Sequence, residues 1–323
     1  MTRLQKILQT IQHHKTFLVT THVNPDPDAL CSEISMAMCL RALGKKVHIV
    51  NEEKIPARFA FLPGAGRIQC RADWKSLTYD AAVVVDCGEL ERVGKVKELI
   101  SDDKILINID HHITNDFFGD LNLVLPKASS TAEILYTFLK HAGCRMTKDL
   151  AVNLYVGIMT DTGCFRFENT TARTHRIIGD LMRFHLPVSD LYQRIYESVP
   201  AGDLKKLMKL IGRCELLDNG RLVCLSLSKT MVSKFSEDFD VRDTIFKFLR
   251  SMNGVEVAAI FTEVARCQTR VNLRSVHQVD VARIASYFQG GGHQRASGCT
   301  IHKALGQARA DVIGQIRGAW IHD

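Results

Sequence analysis

Four short segments of the sequence bring together aspartate and histidine residues of the kinds that bind metal ions. They are HVNPDPD (22–28), DCG (86–88), DHH (110–112) and TDTG (160–163). A set of four aspartates and two histidines drawn from them is hard and rich in oxygen. Such a set suits Mn²⁺ or Mg²⁺ far better than a metal held by thiolates. The segments therefore predict a divalent metal centre.

The chemistry that such a centre offers is the hydrolysis of phosphate esters. One carboxylate can bridge two ions about 3.5–4 Å apart, and the ion pair can clamp the attacking and leaving oxygens of a phosphoryl group. A water molecule between the ions becomes hydroxide near neutral pH, so the reaction needs no side-chain nucleophile. The sequence contains no GxSxG segment. It therefore predicts a two-metal-activated hydroxide as the nucleophile.

Each segment taken alone also has a purely structural interpretation. Asp-Pro pairs form turns, aspartate often caps the helix that follows it, and paired histidines are often no more than a polar surface. These interpretations do not explain why the segments should meet at one edge of a predicted sheet. Their coincidence there is what favours the metal centre.

The elements that must position these segments are strands that alternate with helices. Apolar runs predict strands at 16–21, 46–50, 80–85 and 104–109, and helical periodicity covers 28–43, 131–142, 148–159 and 171–184. Because the strands are apolar throughout, we expect a mostly parallel sheet with helices on both faces. Three of the four segments follow strands, at the carboxyl edge where ligands bind in open α/β sheets.

The sequence pattern of alternating strands and helices changes after residue 186. Residues 186–211 are helical in pattern and contain charge and two prolines, and strand-like and helical patterns resume at 221–227, 255–262, 270–274 and 281–288. The predicted fold class is α/β, with a helical connector, a smaller C-terminal α/β domain and an active site in the interdomain cleft. The predicted boundaries are 1–187, 188–211 and 212–323.

The bulk composition is that of an ordinary soluble protein that folds in the cytoplasm. The chain has 323 residues, of which 46% are hydrophobic and 24% charged, and its formal net charge is +7. None of the ten cysteines is spaced as CxxC, which indicates buried thiols in a reducing compartment. The N-terminus has no signal-peptide core, and no apolar run could span a bilayer, so we expect a cytoplasmic protein without a membrane.

The four segments resemble the ordered motifs of the DHH phosphoesterases. Three further segments resemble the nanoRNase/pAp-phosphatase branch of that family, namely FRFENTT (165–171), LRS (273–275) and GGGHQRASG (290–298). The resemblance covers nearly the whole chain, and it implies a DHH domain followed by a C-terminal DHH-associated domain. DHH alone would be a weak signal, but seven motifs in the right order are a strong one.

The resemblance implies a role for each matching residue. One metal ion would be held by His22, Asp26 and Asp86, and the other by Asp28, Asp86, His111 and Asp161. Asp86 would bridge the two ions, for which Mn²⁺ is expected ahead of Mg²⁺. Asp110 would orient a neighbour, and His112 would face the substrate phosphate, where it could stabilise developing charge or assist the leaving group.

The resemblance also implies substrate contacts in both halves of the chain. They are Arg166, Arg274, Ser275, Gly291, Gly292 and His293. An arginine can grip a phosphate with two hydrogen bonds, and glycine N–H groups can form an anion-binding nest. A lone arginine is more often a solvated charge, and a glycine run is more often a flexible loop, so these contacts depend on the resemblance.

Two positions depart from the family pattern. Pro27 and Cys31 stand where glycine is usual. Proline fixes φ and removes a backbone N–H, so the turn at 26–28 should be stiffer and one donor should be lost. All six ligand positions are intact, so affinity or rate should change more than the activity itself.

The function expected from the resemblance is the hydrolysis of short RNA or DNA oligonucleotides to mononucleotides, with pAp as a further substrate. Aromatic residues make up only 7% of the chain, which argues against a platform for long RNA. The alternatives are another DHH specificity, such as linear or cyclic dinucleotides, and a catalytically silent nucleotide sensor. The glycine-rich segment argues against a pyrophosphatase, and the intact ligand set argues against a sensor. The resemblance is also compatible with a homodimer.

Overall fold

The chain forms two compact units, Met1–Tyr196 and Glu197–Asp323. The computed structural model describes residues 2–197, 199–236, 239, 241–276 and 279–321, and at 293 and 321 it describes the backbone alone. The division between the units falls inside the predicted connector 188–211. The predicted domain boundaries and the predicted interdomain cleft stay predictions.

A six-stranded parallel sheet forms the centre of the first unit. Its strands are β1 (Thr16–Thr20), β2 (Lys46–Asn51), β3 (Ile68–Cys70), β4 (Ala81–Val85), β5 (Ile105–Asp110) and β6 (Leu121–Val124). They lie in the order β3-β2-β1-β4-β5-β6, and every pairing is parallel. Strands β2 and β3 follow β1 on one side of the sheet, and β5 and β6 follow β4 on the other side. The topology therefore reverses between these two strands, which is where open α/β sheets leave a crevice for a ligand.

Side chains of the central strands are buried on both faces of the sheet. Phe17 and Val19 of β1 belong to the larger apolar cluster, and Leu18 between them belongs to a second cluster on the other face. Side chains along a strand point alternately to the two faces. A strand buried on both sides is therefore mostly apolar, which explains the long apolar runs in the sequence.

The larger cluster is covered by α-helices and the smaller one by a 3₁₀ segment. The α-helices of the first unit are α1 (Arg3–His13), α2 (Pro27–Ala42), α3 (Thr131–His141), α4 (Lys148–Asp161), α5 (Ala172–Met182) and α6 (Val188–Tyr196). Its 3₁₀ helices are Ala57–Phe59, Ala65–Arg67, Arg71–Asp73 and Leu90–Leu99. The last of these supplies Val93, Val96 and Leu99 to the second cluster.

The second unit contains a smaller mixed sheet. Its strands are β7 (Glu215–Leu217), β8 (Leu222–Ser228), β9 (Val257–Ala265), β10 (Gln268–Ser275), β11 (Gly291–His293) and β12 (Ala296–Ile301). They lie in the order β11-β12-β10-β9-β8-β7, with β8 and β9 parallel and the other pairs antiparallel. Its helices are α7 (Ala201–Ile211), α8 (Lys229–Val232), α9 (Val241–Arg250), α10 (Val281–Tyr287) and α11 (Leu305–Ile321), with a 3₁₀ turn at Asp218–Gly220.

The predicted fold class is confirmed: a parallel α/β domain precedes a smaller α/β domain. Within the part of the chain that the structure describes, no helix is both long enough and apolar enough to cross a bilayer.

Candidate metal centre

The loop that follows β1 places His22 and Asp26. His22 is buried, and its Nδ1 lies 2.8 Å from the carbonyl oxygen of Val23. A proton on Nδ1 makes that hydrogen bond and leaves Nε2 as the ligand atom, as in many metal-binding histidines. Nε2 lies 3.9 Å from Oδ2 of Asp86. Asp26 is the N-cap of α2, where its Oδ1 accepts the N–H of Ala29 at 3.0 Å.

Asp28 lies in the first turn of α2 and points into the protein towards α3. It is 1% exposed, and its two carboxylate oxygens accept the N–H groups of Thr131 (2.8 Å) and Ala132 (3.1 Å). Burial, together with the nearby charges of Asp86 and Asp161, raises the pKa of Asp28 well above its usual value. The positive end of α3 compensates part of this negative charge.

Asp86 follows the last residue of β4 and adopts a left-handed backbone conformation with φ of 54°. Such a conformation is uncommon outside glycine, although aspartate tolerates it better than most residues. The N–H of Asp86 still donates to the carbonyl oxygen of Ile109 at 2.9 Å. Its buried carboxylate accepts the hydroxyl of Thr131 at 2.7 Å. The conformation thus turns the Asp86 side chain into the crevice while the backbone stays attached to the sheet.

His111 and Asp161 complete the set from two other directions. His111 follows β5, and its Nε2 lies 3.6 Å from Oδ1 of Asp86 and 3.4 Å from Oδ2 of Asp161. Asp161 is the last residue of α4, where helix carbonyl oxygens and the negative end of the dipole add to its charge. Burial, followed by the charges of Asp26 and Asp86, raises the pKa of Asp161 well above its usual value.

A hydrogen-bonded chain fixes the orientation of His112. Its Nδ1 lies 2.7 Å from Oδ1 of Asp110, whose Oδ2 accepts the side-chain amide of Asn115 at 2.6 Å. Burial alone would raise the pKa of Asp110, but the bonds from His112 and Asn115 outweigh it and lower that pKa to about 2. Burial likewise opposes protonation of His112, yet its bond to Asp110 and the charge of Asp86 raise its pKa to about 9. The ring is thus held as a cation with Nε2 directed away from Asp110.

Three overlapping groups of side chains have ligand atoms that lie within 4.8 Å of one another, and each could hold a metal ion. The groups are His22–Asp26–Asp86, Asp28–His111–Asp161 and Asp86–His111–His112. Asp86 is shared between two of them, as expected for a bridging carboxylate. Four carboxylates so close together repel one another, and this repulsion adds to the effect of burial in raising the pKa values of Asp28 and Asp161. A set of carboxylate oxygens and imidazole nitrogens with uncompensated negative charge fits hard divalent cations.

Arg166 lies near this set in the sequence, five residues after Asp161. Its guanidinium Nε donates to the carbonyl oxygen of Gly163 at 2.8 Å and lies over the ring of Phe167. Residues 163–165 all adopt left-handed φ values, between 55° and 65°. These residues form a turn after α4, and exposed Arg166 follows that turn.

Arg274 and Ser275 lie together at the end of β10 in the second unit. Arg274 packs over the ring of Phe246 at 4.9 Å, and its Nη1 donates to the carbonyl oxygen of Leu273. Ser275 is buried, and its hydroxyl donates to the carbonyl oxygen of Gln294 at 3.4 Å. The two residues therefore adjoin the turn of the β11–β12 hairpin.

The predicted glycine-rich segment is the first strand of that hairpin. Gly291 pairs with Gly298 and Gly292 with Ser297. A Cβ atom on Gly292 would lie 2.5 Å from the carbonyl oxygen of Ala296, and its φ is 135°, so close strand pairing requires glycine there. Gly291 has open space around it. The predicted contact of the His293 side chain lies outside the described residues.

Two residues of the site were not predicted from the sequence. Thr131 touches both Asp28 and Asp86, and Asn115 touches Asp110. A signal for Thr131 exists in the segment SSTAE (129–133), which is typical of a helix start. That pattern predicts the helix but not the direction in which its first residue points.

The two departures from the family pattern both lie in α2. Pro27 occupies its first turn, where the missing N–H has no intrahelical partner in any case. Cys31 is fully buried, and it lies near Gly157 of α4. Neither residue is itself a candidate ligand.

Comparison with known proteins matches both units. The model of the DHH family, N-terminal domain, matches residues 16–158, and that of the DHHA1 domain matches residues 225–318. The bifunctional oligoribonuclease and PAP phosphatase NrnA of Thermus thermophilus is 30% identical over 302 residues, which is 93% of this chain and 88% of that protein. The protein of the same name from Bacillus subtilis is 28% identical over 92% of this chain and 93% of its own.

Solved structures show the same fold at lower sequence identity. An exopolyphosphatase-related protein from Bacteroides fragilis superposes with a TM-score of 0.88 at 22% identity, covering 97% of this chain and 95% of that one. The exonuclease RecJ of Thermus thermophilus, solved in complex with Mn²⁺, gives a TM-score of 0.53 at 14% identity, covering 98% of this chain and 55% of that one.

Proposed function

Because the chain belongs to the DHH family, we propose that it is a metal-dependent phosphoesterase that hydrolyses short oligonucleotides to mononucleotides and pAp to AMP. The relatives named as oligoribonuclease and PAP phosphatase match this chain over nearly its full length, in both units. Both reactions place one phosphate at a metal centre and one nucleotide beside it. They therefore require the same two sets of residues.

The observation that carries the proposal is the overlap of the three candidate ligand groups, which are linked through Asp86 and His111. We assign one ion to His22, Asp26 and Asp86, and the other to Asp28, Asp86, His111 and Asp161. Imidazole ligands together with carboxylates favour Mn²⁺ over Mg²⁺, which prefers oxygen alone. When bound, two such ions supply Lewis-acid charge and lower the pKa of water.

The residues of the chain itself supply the proton that the reaction needs. Hydrolysis leaves the water oxygen on phosphorus, and the departing ribose oxygen takes a proton. His112 is held by Asp110 through Nδ1 and is protonated below a pKa of about 9, so its Nε2–H is the atom that can give that proton. Asp110 and Asn115 keep the ring in this orientation. The same cation can balance charge that develops on the phosphate.

Nucleotide recognition is assigned to both units. We assign a phosphate contact to Arg166, five residues after Asp161, and nucleotide contacts to Arg274, Ser275 and the open backbone at Gly291. His293 is included on sequence grounds. A cytoplasmic location fits the cysteines, since all ten are free and five are buried.

The test is a panel of substrates incubated with Mn²⁺ and the full-length protein. The panel contains a 5′-labelled RNA dinucleotide and trinucleotide, a long single-stranded RNA, pAp, a cyclic dinucleotide and pyrophosphate. We expect rapid loss of the short oligonucleotides and of pAp, with the long strand largely spared. Turnover of pyrophosphate alone, or of cyclic dinucleotides alone, would assign a different DHH specificity.

A pair of variants shows whether the activity belongs to the proposed centre. Asp86→Ala removes a ligand from both ions and should abolish turnover of every substrate in the panel. Asp116→Ala, at an exposed position in the loop after β5, should retain it. Activity of folded Asp86→Ala near that of the control would refute the two-metal assignment.

A further inference from the structure

The hydroxyl and the backbone N–H of Thr131 bind two different candidate ligands. The hydroxyl donates to Oδ1 of Asp86 at 2.7 Å, and the N–H donates to Oδ2 of Asp28 at 2.8 Å. Thr131 is completely buried, as are both carboxylates. The segments that carry these two ligands lie more than forty residues away in the sequence, on α2 and after β4.

The Thr131 hydroxyl is not needed to cap its own helix. The cap of α3 is Ser130, whose side chain accepts the N–H of Glu133 at 3.0 Å. The N–H groups of Thr131 and Ala132 both donate to Asp28. The Thr131 hydroxyl thus takes no part in capping α3, and its partner is a carboxylate outside that helix.

A hydrogen bond to one oxygen of a carboxylate determines how the group is rotated. Oδ1 of Asp86 accepts from Thr131 and lies 3.6 Å from His111, whereas Oδ2 lies 3.9 Å from His22. The two oxygens therefore face the two different donor groups. Without the hydroxyl, the Asp86 carboxylate could rotate and present both oxygens to one group.

We propose that Thr131 is a positioning residue that fixes the rotation of the Asp86 carboxylate relative to Asp28, so that each oxygen of Asp86 serves one of the two metal ions. This inference rests on the proposed ligand assignment. Partners of metal ligands orient the ligands they touch, and their loss weakens metal affinity or activity by about 10–100-fold.

The test compares Thr131→Val, which keeps the shape and the backbone N–H but lacks the hydroxyl, with Thr131→Ser, which keeps the hydroxyl. Thr174→Val is the matched control, since Thr174 is equally buried and its hydroxyl bonds to Glu133, outside the candidate ligands. Calorimetry gives the number and affinity of bound Mn²⁺ ions. The electron paramagnetic resonance spectrum shows whether two bound Mn²⁺ ions are magnetically coupled.

We expect Thr131→Val to bind one of two Mn²⁺ ions about 10–100-fold more weakly and to lose the coupled spectrum. Thr131→Ser and Thr174→Val should keep the wild-type affinity and spectrum. In turnover, kcat should fall in Thr131→Val more than KM rises, because substrate contacts are intact. If Thr131→Val does not fold, Thr131→Ala removes the same hydroxyl with less bulk and takes its place.

Wild-type Mn²⁺ affinity and a wild-type spectrum in Thr131→Val would overturn the inference. Asp86→Asn separates this outcome from a failure of the proposed function. If Asp86→Asn loses Mn²⁺ while Thr131→Val does not, only the role of Thr131 is refuted. If Asp86→Asn binds two ions as the wild type does, the ligand assignment fails and the inference fails with it.

Discussion

At the scale of single residues, the site consists of candidate metal ligands, which can be recognised in the sequence, and of residues that orient them, which cannot. The candidate ligands lie in short motifs because each is at or next to the end of a strand or helix, where a local pattern can be recognised. Asn115 has no such pattern, and the pattern at 129–133 predicts the start of a helix but not the partners of Thr131, because only the folded chain brings those partners near. The hydrogen bonds of Asn115 illustrate this, because its side-chain amide reaches Asp110, Asn108 and the carbonyl oxygen of Cys87.

The first prediction concerns Asp110. Asp110 accepts from two donors, Nδ1 of His112 and Nδ2 of Asn115, through two different oxygens. The carboxamide in Asp110→Asn has only one oxygen acceptor, so one donor loses its partner and His112 is no longer held as a cation. We expect kcat for a dinucleotide to fall about 10–100-fold, with Mn²⁺ affinity little changed.

The control for this prediction is Asp116→Asn, the same chemical change at an exposed position in the loop after β5. It should leave kcat unchanged. A kcat in Asp110→Asn equal to that of the control would show that Asp110 does not act through His112.

At the scale of elements, three helices converge on the crevice between β1 and β4. The N-termini of α2 and α3 direct N–H groups at Asp26 and Asp28, while the C-terminus of α4 carries Asp161. The long apolar elements were predictable from periodicity alone. The short strands β3 and β6 were not, because three or four residues carry too little pattern to identify a strand. The helix α11 contains three glycines, which lower helix propensity and obscure its signal.

The second prediction tests the packing of these helices. A Cβ atom on Gly157 of α4 would lie 2.6 Å from Oδ1 of Asp28 and 2.7 Å from Cβ of Ala132. Gly157→Ala must therefore push α3 or α4 away from the site. We expect the free energy of unfolding, measured with urea, to fall by about 1–3 kcal/mol, and Mn²⁺ binding to weaken.

Gly179→Ala on α5 is the matched control, because no atom lies within 4 Å of the added methyl group. Alanine is the better helix former, so this variant should gain up to about 1 kcal/mol. Equal effects of the two substitutions would show that the space around Gly157 is not limiting.

The third prediction concerns a buried acid on α2. Glu33 is completely buried, and one of its oxygens accepts the side-chain amide of Asn51 at 2.8 Å. Burial raises its pKa from 4.5 to about 8, although the bond from Asn51 acts in the opposite direction. The folded state thus holds the proton more tightly than the unfolded state. The resulting contribution to stability is fully present below pH 4.5 and is lost as the pH rises to about 8.

Glu33→Gln removes this titration. Relative to the wild type, its free energy of unfolding should rise between pH 5 and pH 8.5, by on the order of 4 kcal/mol at the upper end. Because the candidate metal ligands titrate in both proteins, their contribution cancels in the difference between the two free energies of unfolding. A difference that does not depend on pH would mean that Glu33 is not held protonated.

At the scale of the whole molecule, the proposed reaction uses candidate metal ligands from one unit and candidate nucleotide contacts from the other. The first carries all six candidate metal ligands, and the second carries Arg274, Ser275 and the glycine hairpin. The sequence predicted both units and their order because each has its own motifs. It did not predict that Gly292 serves strand pairing, since the close approach of Ala296 depends on the register of the hairpin.

The fourth prediction tests this division. Arg274→Ala should raise KM for a dinucleotide about tenfold or more, because it removes a charge-assisted contact to phosphate. Hydrolysis of a small artificial ester such as bis-p-nitrophenyl phosphate should be unchanged, since it engages the metal centre alone. Arg270→Ala, at an exposed position on the same strand, is the control and should affect neither substrate. Equal losses on both substrates in Arg274→Ala would show that Arg274 is not a nucleotide contact.

The measurement that tests the central claim most directly is anomalous X-ray diffraction from crystals of the protein loaded with Mn²⁺. Two anomalous peaks about 4 Å apart are predicted, with the Asp86 carboxylate between them. One peak should have His22 and Asp26 as neighbours, and the other Asp28, His111 and Asp161. A single peak in this crevice, or peaks bound elsewhere with the crevice empty, would contradict the two-metal account.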